Sequence, residues 1–323
     1  MRNEPPAPVI LRLTSDLAEP RLKSKFANRR SEYRLQSGFI SVKSPTKVGT
    51  LNTCDLKDTA FARQLLNPEP DIDRLALRTR PSGPSLMHQY WGKLLFMHWA
   101  IDAELLGTLI PSQLSVDTFD GQAWIGVVPF TMWGIRASFL PPIPGTSAFH
   151  ELNVRTYVHF KGLPGVWFFS LDAANSLAVW GARKFYYLPY FNAQMSLEQR
   201  GSRIEYSSRR NDERGPAADL RAAWTIGECL AQARPGSLEF FLTERYCLYS
   251  YHRDQLYRSR IFHDPWPLKS ATLDSYQSTM IKSLGVGEPA SDPILHYAES
   301  IGVGIWPLKK VRTGSGSDRV DLP

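Results

Sequence analysis

The chain is predicted to fold as a mainly β, α+β protein, a closed or nearly closed sheet with a few short flanking helices. Three observations lead there. Short runs rich in Val, Ile, Trp, Tyr and Phe recur along residues 86–312 with turn residues between them. Helical signals are confined to short stretches behind a capping Asp or Ser. Residues 150–195 alone hold a strand with one polar face, a hairpin, an almost wholly apolar strand, a capped helix and a Pro-led aromatic stretch. Many short strands with few helices bury their apolar faces best when the sheet closes on itself.

Taken in order, residues 94–100 read as a strand, after which Asp102 caps a short helix through Leu105, Leu106 and Leu109 that stops at Pro111. A second strand spans 122–132, and the proline-rich 140–145 stretch is an exposed connection. In the next strand Leu152, Val154, Thr156, Val158 and Phe160 share one face, while Glu151, Asn153, Arg155, Tyr157 and His159 share the other. After a turn over 161–165 comes a run from Val166 to Leu171 that is apolar on both faces, so both are expected to be buried. If the two strands pair, the polar stripe borders a packed interior. Asp172 is placed as the N-cap of a helix carrying Leu177 and Trp180, which ends before Pro189 because the residue ahead of a proline is pushed out of the α region. Strands over 203–208 and 221–226 follow, then a helix over 238–245 behind Ser237. A hairpin of 247–252 with 256–262 and a last strand pair, 294–298 and 303–307, complete the sheet.

Composition excludes several function classes. At 323 residues with 43% hydrophobic content the chain can bury a sizeable core. Its net charge of +7 is concentrated at one end, since residues 1–80 carry 15 Lys/Arg against 9 Asp/Glu. Residues 1–85 lack apolar periodicity and read as a disordered or weakly ordered basic leader, dispensable for folding. Residues 86–312 form the barrel domain, and the polar 313–323 tail is disordered. No base-stacking or groove-reading motif accompanies the leader, so an interaction module recruiting nucleic acid is the weakest reading. Three widely spaced cysteines indicate reduced thiols and a cytosolic protein. No apolar run approaches the length of a membrane span, which argues against a membrane partner. The sequence leaves room for a homo-oligomer.

Motifs for metal and phosphate chemistry fail on inspection. His150-Glu151 opens like a zinc-protease word, but Val154 stands where the second histidine belongs, and no metal site is expected. Gly302 and Gly304 sit in a strand with no helix after them, there is no phosphate-binding loop, and no Gly-x-Ser-x-Gly elbow exists. No cofactor is expected.

The words LLFMHWAID (94–102), TFDGQAWIGVVPF (118–130), HELNVRTYV (150–158), FFSLDA (168–173), LPYFNAQM (188–195), FLTERY (241–246) and HDPWPL (263–268) stand in a telling order. Over about 70% of its length the chain resembles the bacterial YqjF-like family of uncharacterised proteins, which is similar in turn to acetoacetate decarboxylase. The resemblance begins near Met87, and one expectation is that the functional chain starts there. It implies an acetoacetate decarboxylase-like β-barrel around a central cavity. In that enzyme a lysine opening a Pro-Lys-Lys word forms a Schiff base with the ketone. The matching word here is Pro189-Tyr190-Phe191-Asn192-Ala193, with aromatics at both lysine positions. A phenol hydrogen-bonds or donates a proton, but it cannot form an imine. Glu151 matches a glutamate lining the decarboxylase cavity.

The function expected is binding of a small carboxylate- or carbonyl-bearing molecule, of unknown identity, without a Schiff-base lysine. Arg155, Glu151, Asn153, Tyr157 and Tyr190 are the candidate ligand-binding residues. The alternative is an enzyme acting on a keto or hydroxy acid by general acid–base catalysis, with Glu151, Tyr190 and His98 as proton-transfer groups.

Overall fold

The computed structural model describes residues 71–141 and 148–312. In chain order the elements are β1 (Met87–Ile101), α1 (Ala103–Thr108), β2 (Ser115–Val116), β3 (Ala123–Ala137), β4 (Phe149–Phe160), β5 (Leu163–Ala173), α2 (Ser176–Tyr186) and β6 (Tyr190–Arg200). There follow β7 (Arg203–Arg210), β8 (Asp219–Cys229), α3 (Leu238–Thr243), β9 (Cys247–His252), β10 (Gln255–His263), β11 (Leu268–Ser278), β12 (Ile294–Ile305) and β13 (Lys309–Lys310). Among these residues no helix is long and apolar enough to cross a membrane.

The strands close twice. One ring runs β5-β6-β7-β8-β11-β12-β1-β3-β4 and returns to β5 through the β4–β5 pairing, giving a nine-strand barrel. A second ring forms because β10 pairs with β12 and β9 pairs with β5, so that β9 and β10 bridge the five strands β5, β4, β3, β1 and β12. Those five strands are a wall shared by two interiors, and their side chains alternate between them. On β4, Phe149 and Tyr157 face the interior of the ring closed by β9 and β10, with Phe96, Phe130, Leu248 and Trp266. Leu152 and Val154 face the interior of the nine-strand barrel, with Met97, Ile125, Tyr206 and Trp224. Strands that wall two interiors have no solvent face, which is why β4 is buried along almost its whole length.

Local chemistry explains the boundaries. Asp102 accepts from the Leu105 N–H to cap α1, and Ser237 accepts from Phe240 to cap α3. The β4–β5 hairpin turns on two residues, Lys161 and Gly162, both at positive φ, and the β9–β10 hairpin turns on Arg253 and Asp254 in the same way. Such turns match the twist of the strands they join. The first is therefore shorter than the five-residue turn read from the sequence.

Other expectations are corrected. Asp172 does not cap α2: the chain stays extended through Ala173, Asn175 is the cap, and Asp172 is held by Arg210 at 2.7 Å. Strand pairing and a buried guanidinium outcompete a helix cap three residues too early. Residues 190–200, which show little alternation, form β6 because β5 and β7 supply partners on either side. The last strand pair is one continuous strand, β12, whose Gly302 and Gly304 stay in register with β1.

Packing begins ahead of Leu86. Leu77 is buried, the Arg74 guanidinium pairs with the buried Asp117, Arg260 donates to the Leu77 and Thr79 carbonyls at 2.8 Å, and Ser85 bonds His88 at 2.8 Å. Residues 71–85 thus belong to the ordered body, against the leader boundary drawn at 85. The rest of that leader, residues 142–145 of the proline-rich connection and the 313–323 tail lie outside the described residues.

Candidate functional site

Inside the ring closed by β9 and β10 is a cavity of about 110 Å³, room for several waters or one small molecule. Its wall is mostly apolar, from Leu94, Phe130, Phe168, Leu171 and Trp266 among others. Into it β4 delivers Glu151, Asn153 and Arg155. The period of two puts all three on one face, and the shared wall makes that face an interior one.

Arg155 is aimed by a local irregularity. Val154 pairs with Ser170 but Arg155 pairs with Phe168, so β5 carries an extra residue at Phe169. A bulge of this kind bends the strand and redirects neighbouring side chains. The guanidinium lies 5.1 Å from the Phe96 ring centroid, makes one long contact of 3.4 Å to the Leu242 carbonyl, and leaves Nε without a partner. Among the described residues it has no carboxylate partner. Both acids that could have paired with it are engaged: Asp172 by Arg210, and Glu244 by the Tyr246 hydroxyl and the Trp266 N–H.

Glu151 lies two pleats away, 2% exposed. The Tyr190 hydroxyl donates to its Oε2 at 2.7 Å. Burial pushes the Glu151 carboxyl up to about 8, against the opposing pull of that hydrogen bond and with a smaller push from Asp172. At neutral pH it is chiefly the neutral acid, and with Oε2 accepting from Tyr190 its proton is carried on Oε1. Asn153, 4% exposed, has an Oδ1 with no partner.

Tyr157 and His98 face the same interior beyond Arg155, outside the cavity lining. The single Tyr157 hydroxyl proton goes to the Leu242 carbonyl at 2.5 Å, so His98 Nε2–H donates to the same hydroxyl oxygen at 2.6 Å. That assigns the tautomer and leaves Nδ1 bare. Burial first, then the charges of Arg155 and His296, hold His98 well below the usual imidazole range. Gly126 makes room for this ring, since a Cβ there would lie 2.9 Å from His98 Cδ2. His159 lies at the far end of β4, beside the turn, where its Nδ1 accepts from Gly162.

Sequence reasoning missed two contributors. Arg245 pairs with Asp117 at 2.7 Å and lies 4.8 Å from the Tyr157 ring, supporting the site from outside. Trp266 walls the cavity. No spacing could have linked Asp117 to Arg245, because they are 128 residues apart. Lys184 is exposed on α2, with its ammonium 4.8 Å from the Trp180 ring, and no lysine is among the described cavity-lining residues.

Comparison with known proteins agrees with this architecture. A family model described as an uncharacterized conserved protein, DUF2071, matches residues 88–302. The chain is 46% identical over 230 residues to the uncharacterized protein YqjF of Bacillus subtilis (strain 168), covering 71% of this chain and 94% of that protein. Among solved structures it is similar to the enduracididine biosynthesis enzyme MppR complexed with pyruvate, with TM-score 0.50 and 12% identity over 71% of this chain and 91% of that one. It is also similar to an acetoacetate decarboxylase from Legionella pneumophila, with TM-score 0.46 and 14% identity over 82% of this chain and 98% of that one. Identities this low speak for fold alone. The chain belongs to the DUF2071 family of uncharacterized conserved proteins, and its closed β-barrel fold is similar to that of MppR.

Proposed function

We propose that the protein binds a small carboxylate- or carbonyl-bearing molecule in this cavity, without forming a Schiff base. Arg155 carries the reading. It is 9% exposed, lines the cavity and has no acid partner among the described residues. Leaving a buried charge unpaired costs several kcal/mol, and its contact with Phe96 returns only about 1–2 kcal/mol. A bound anion would remove that deficit, and a planar carboxylate matches the guanidinium fork. The unpartnered Asn153 Oδ1 and the neutral Glu151 add one acceptor and one donor for an oxo or hydroxy group. MppR, of similar fold, is described with pyruvate, an acid of this chemistry, and the analogy is one of fold only.

The test is a thermal-shift titration with pyruvate and acetoacetate on the wild type and on Arg155→Met, read beside borohydride trapping. Saturating acid is expected to raise the wild-type melting temperature by several degrees. Arg155→Met should fold and lose that shift, with no covalent adduct in either protein. A shift that survives in Arg155→Met, or a trapped lysine adduct, would overturn the reading. A second reading, acid–base catalysis on a keto or hydroxy acid, is favoured by the proton that Glu151 holds beside Tyr190 near neutral pH.

A further inference from the structure

A second chamber of about 260 Å³ adjoins the first, sharing Met87, Gln89, Met132, Ala182, Tyr186 and Tyr190 with it. Phe149 and α2 enclose this part, and Phe185, 59% exposed, stands at its outer end. Along β4, Arg155, Asn153 and Glu151 line the first chamber and Phe149 lines the second, a span of about 20 Å at the usual rise per residue. Charge and hydrogen-bonding groups occupy the first chamber, and the second is nearly all apolar.

One side of the outer chamber is a helix face without side-chain bulk: Ala178, Gly181 and Ala182. Gly181 is the informative member. It sits inside α2, where glycine is the poorest residue short of proline, and its φ is not positive. A Cβ built there meets nothing within 4 Å. Neither backbone conformation nor close packing calls for glycine at this position. What its missing side chain leaves is open volume in the chamber. A second, independent observation points to a ligand in the adjoining first chamber: Asn153 Oδ1, more than nine-tenths buried, lines it and has no partner among the described residues.

Resting on the proposed carboxylate binding, we infer that the ligand is an amphipathic acid: its carboxylate at Arg155, its chain passing Asn153 and Glu151, and an aliphatic tail lying in the chamber under α2. Gly181 and Ala182 then set the tail length accepted, and the natural ligand class is medium- to long-chain aliphatic acids rather than pyruvate-sized ones. Each methylene taken from water into such a chamber strengthens binding severalfold.

The experiment is calorimetric titration of the full chain with butanoate, octanoate and dodecanoate, repeated on Gly181→Phe, Gly181→Leu and Gly181→Ala. In the wild type octanoate is expected to bind at least about tenfold tighter than butanoate. Gly181→Phe and Gly181→Leu should erase most of that gain while leaving the butanoate Kd within about twofold. Gly181→Ala, which improves helix propensity, should raise the melting temperature and narrow the chamber least. If Gly181→Phe does not fold, Gly181→Leu carries the comparison. Equal affinity for butanoate and octanoate in the wild type would overturn the tail subsite and leave Arg155 as an anchor for small acids. A length gain unchanged in the folded Gly181 variants would overturn it too. Binding of none of the acids would overturn the carboxylate reading itself, and the tail subsite with it.

Discussion

A buried carboxyl that keeps its proton affects stability and chemistry at once, and Glu151 is such a group. Its folded value of about 8 lies above the ordinary 4.5, so the native state holds a proton that the unfolded chain releases. The native state then binds more protons than the unfolded state between those values, and stability falls as pH rises through that window. The contribution is fully present below about pH 4.5 and lost by about pH 8, at up to about 1.4 kcal/mol per pH unit. Melting curves should show the wild type losing stability from about pH 5 to about pH 8, and Glu151→Gln should flatten that slope. The same variant separates the two functional readings. Retained binding of an oxo acid with loss of solvent-deuterium exchange at its α-carbon, followed by NMR, assigns Glu151 a proton-transfer role. No exchange in the wild type leaves it a hydrogen-bond donor.

At the scale of elements, what decides is which partners the fold supplies. Asn175 caps α2 because β5 consumes Asp172 first, and α2 ends at Tyr187, whose φ of 54° is held by a ring stack 4.3 Å from His252. The stretch 71–85 is short of regular structure yet contributes Leu77 to a small core with Tyr246 and Tyr249, and Arg74 to Asp117. Removing it exposes the bed of one leucine, about 1.5–3 kcal/mol, and leaves the buried Asp117 with Arg245 alone. A chain starting at Met87 should therefore melt about 5–10 °C below one starting at Asp71 in differential scanning calorimetry. Coincident transitions for the two starts would show that the stretch only lies on the barrel.

For the molecule as a whole, five strands are each asked to satisfy two interiors. A substitution on the shared wall is felt on the side it faces, so β4 offers a contrast within two adjacent residues. Val154, fully buried among Leu152, Met97 and Trp224, faces the core without the cavity. Val154→Asp places an unpaired carboxylate there at a cost of several kcal/mol and should abolish cooperative unfolding by circular dichroism. Arg155→Met, one residue on, faces the cavity and should leave the fold intact. If both variants unfold alike, the two faces of β4 are not separate environments.

The strand-rich class, the caps at Asp102 and Ser237, the β9–β10 hairpin and the two faces of β4 are legible in the residues alone, because each is written in neighbouring positions and a fixed period. The double-sided apolarity of residues 166–171 already pointed to a strand buried on both faces, and β5 is one of the five strands of the shared wall. What those faces meet is set by the closed fold. That Arg155 has no acid among the described residues while Asp172 has Arg210 depends on β7 and a bulge opposite Val154. That Glu151 keeps its proton depends on burial by strands distant in the chain, which outweighs the Tyr190 hydrogen bond. That Gly181 borders open space depends on α2 enclosing one chamber together with residues of β1 and β3. Periodicity assigns a side chain to a face, and desolvation and partnership are properties of the closed barrel.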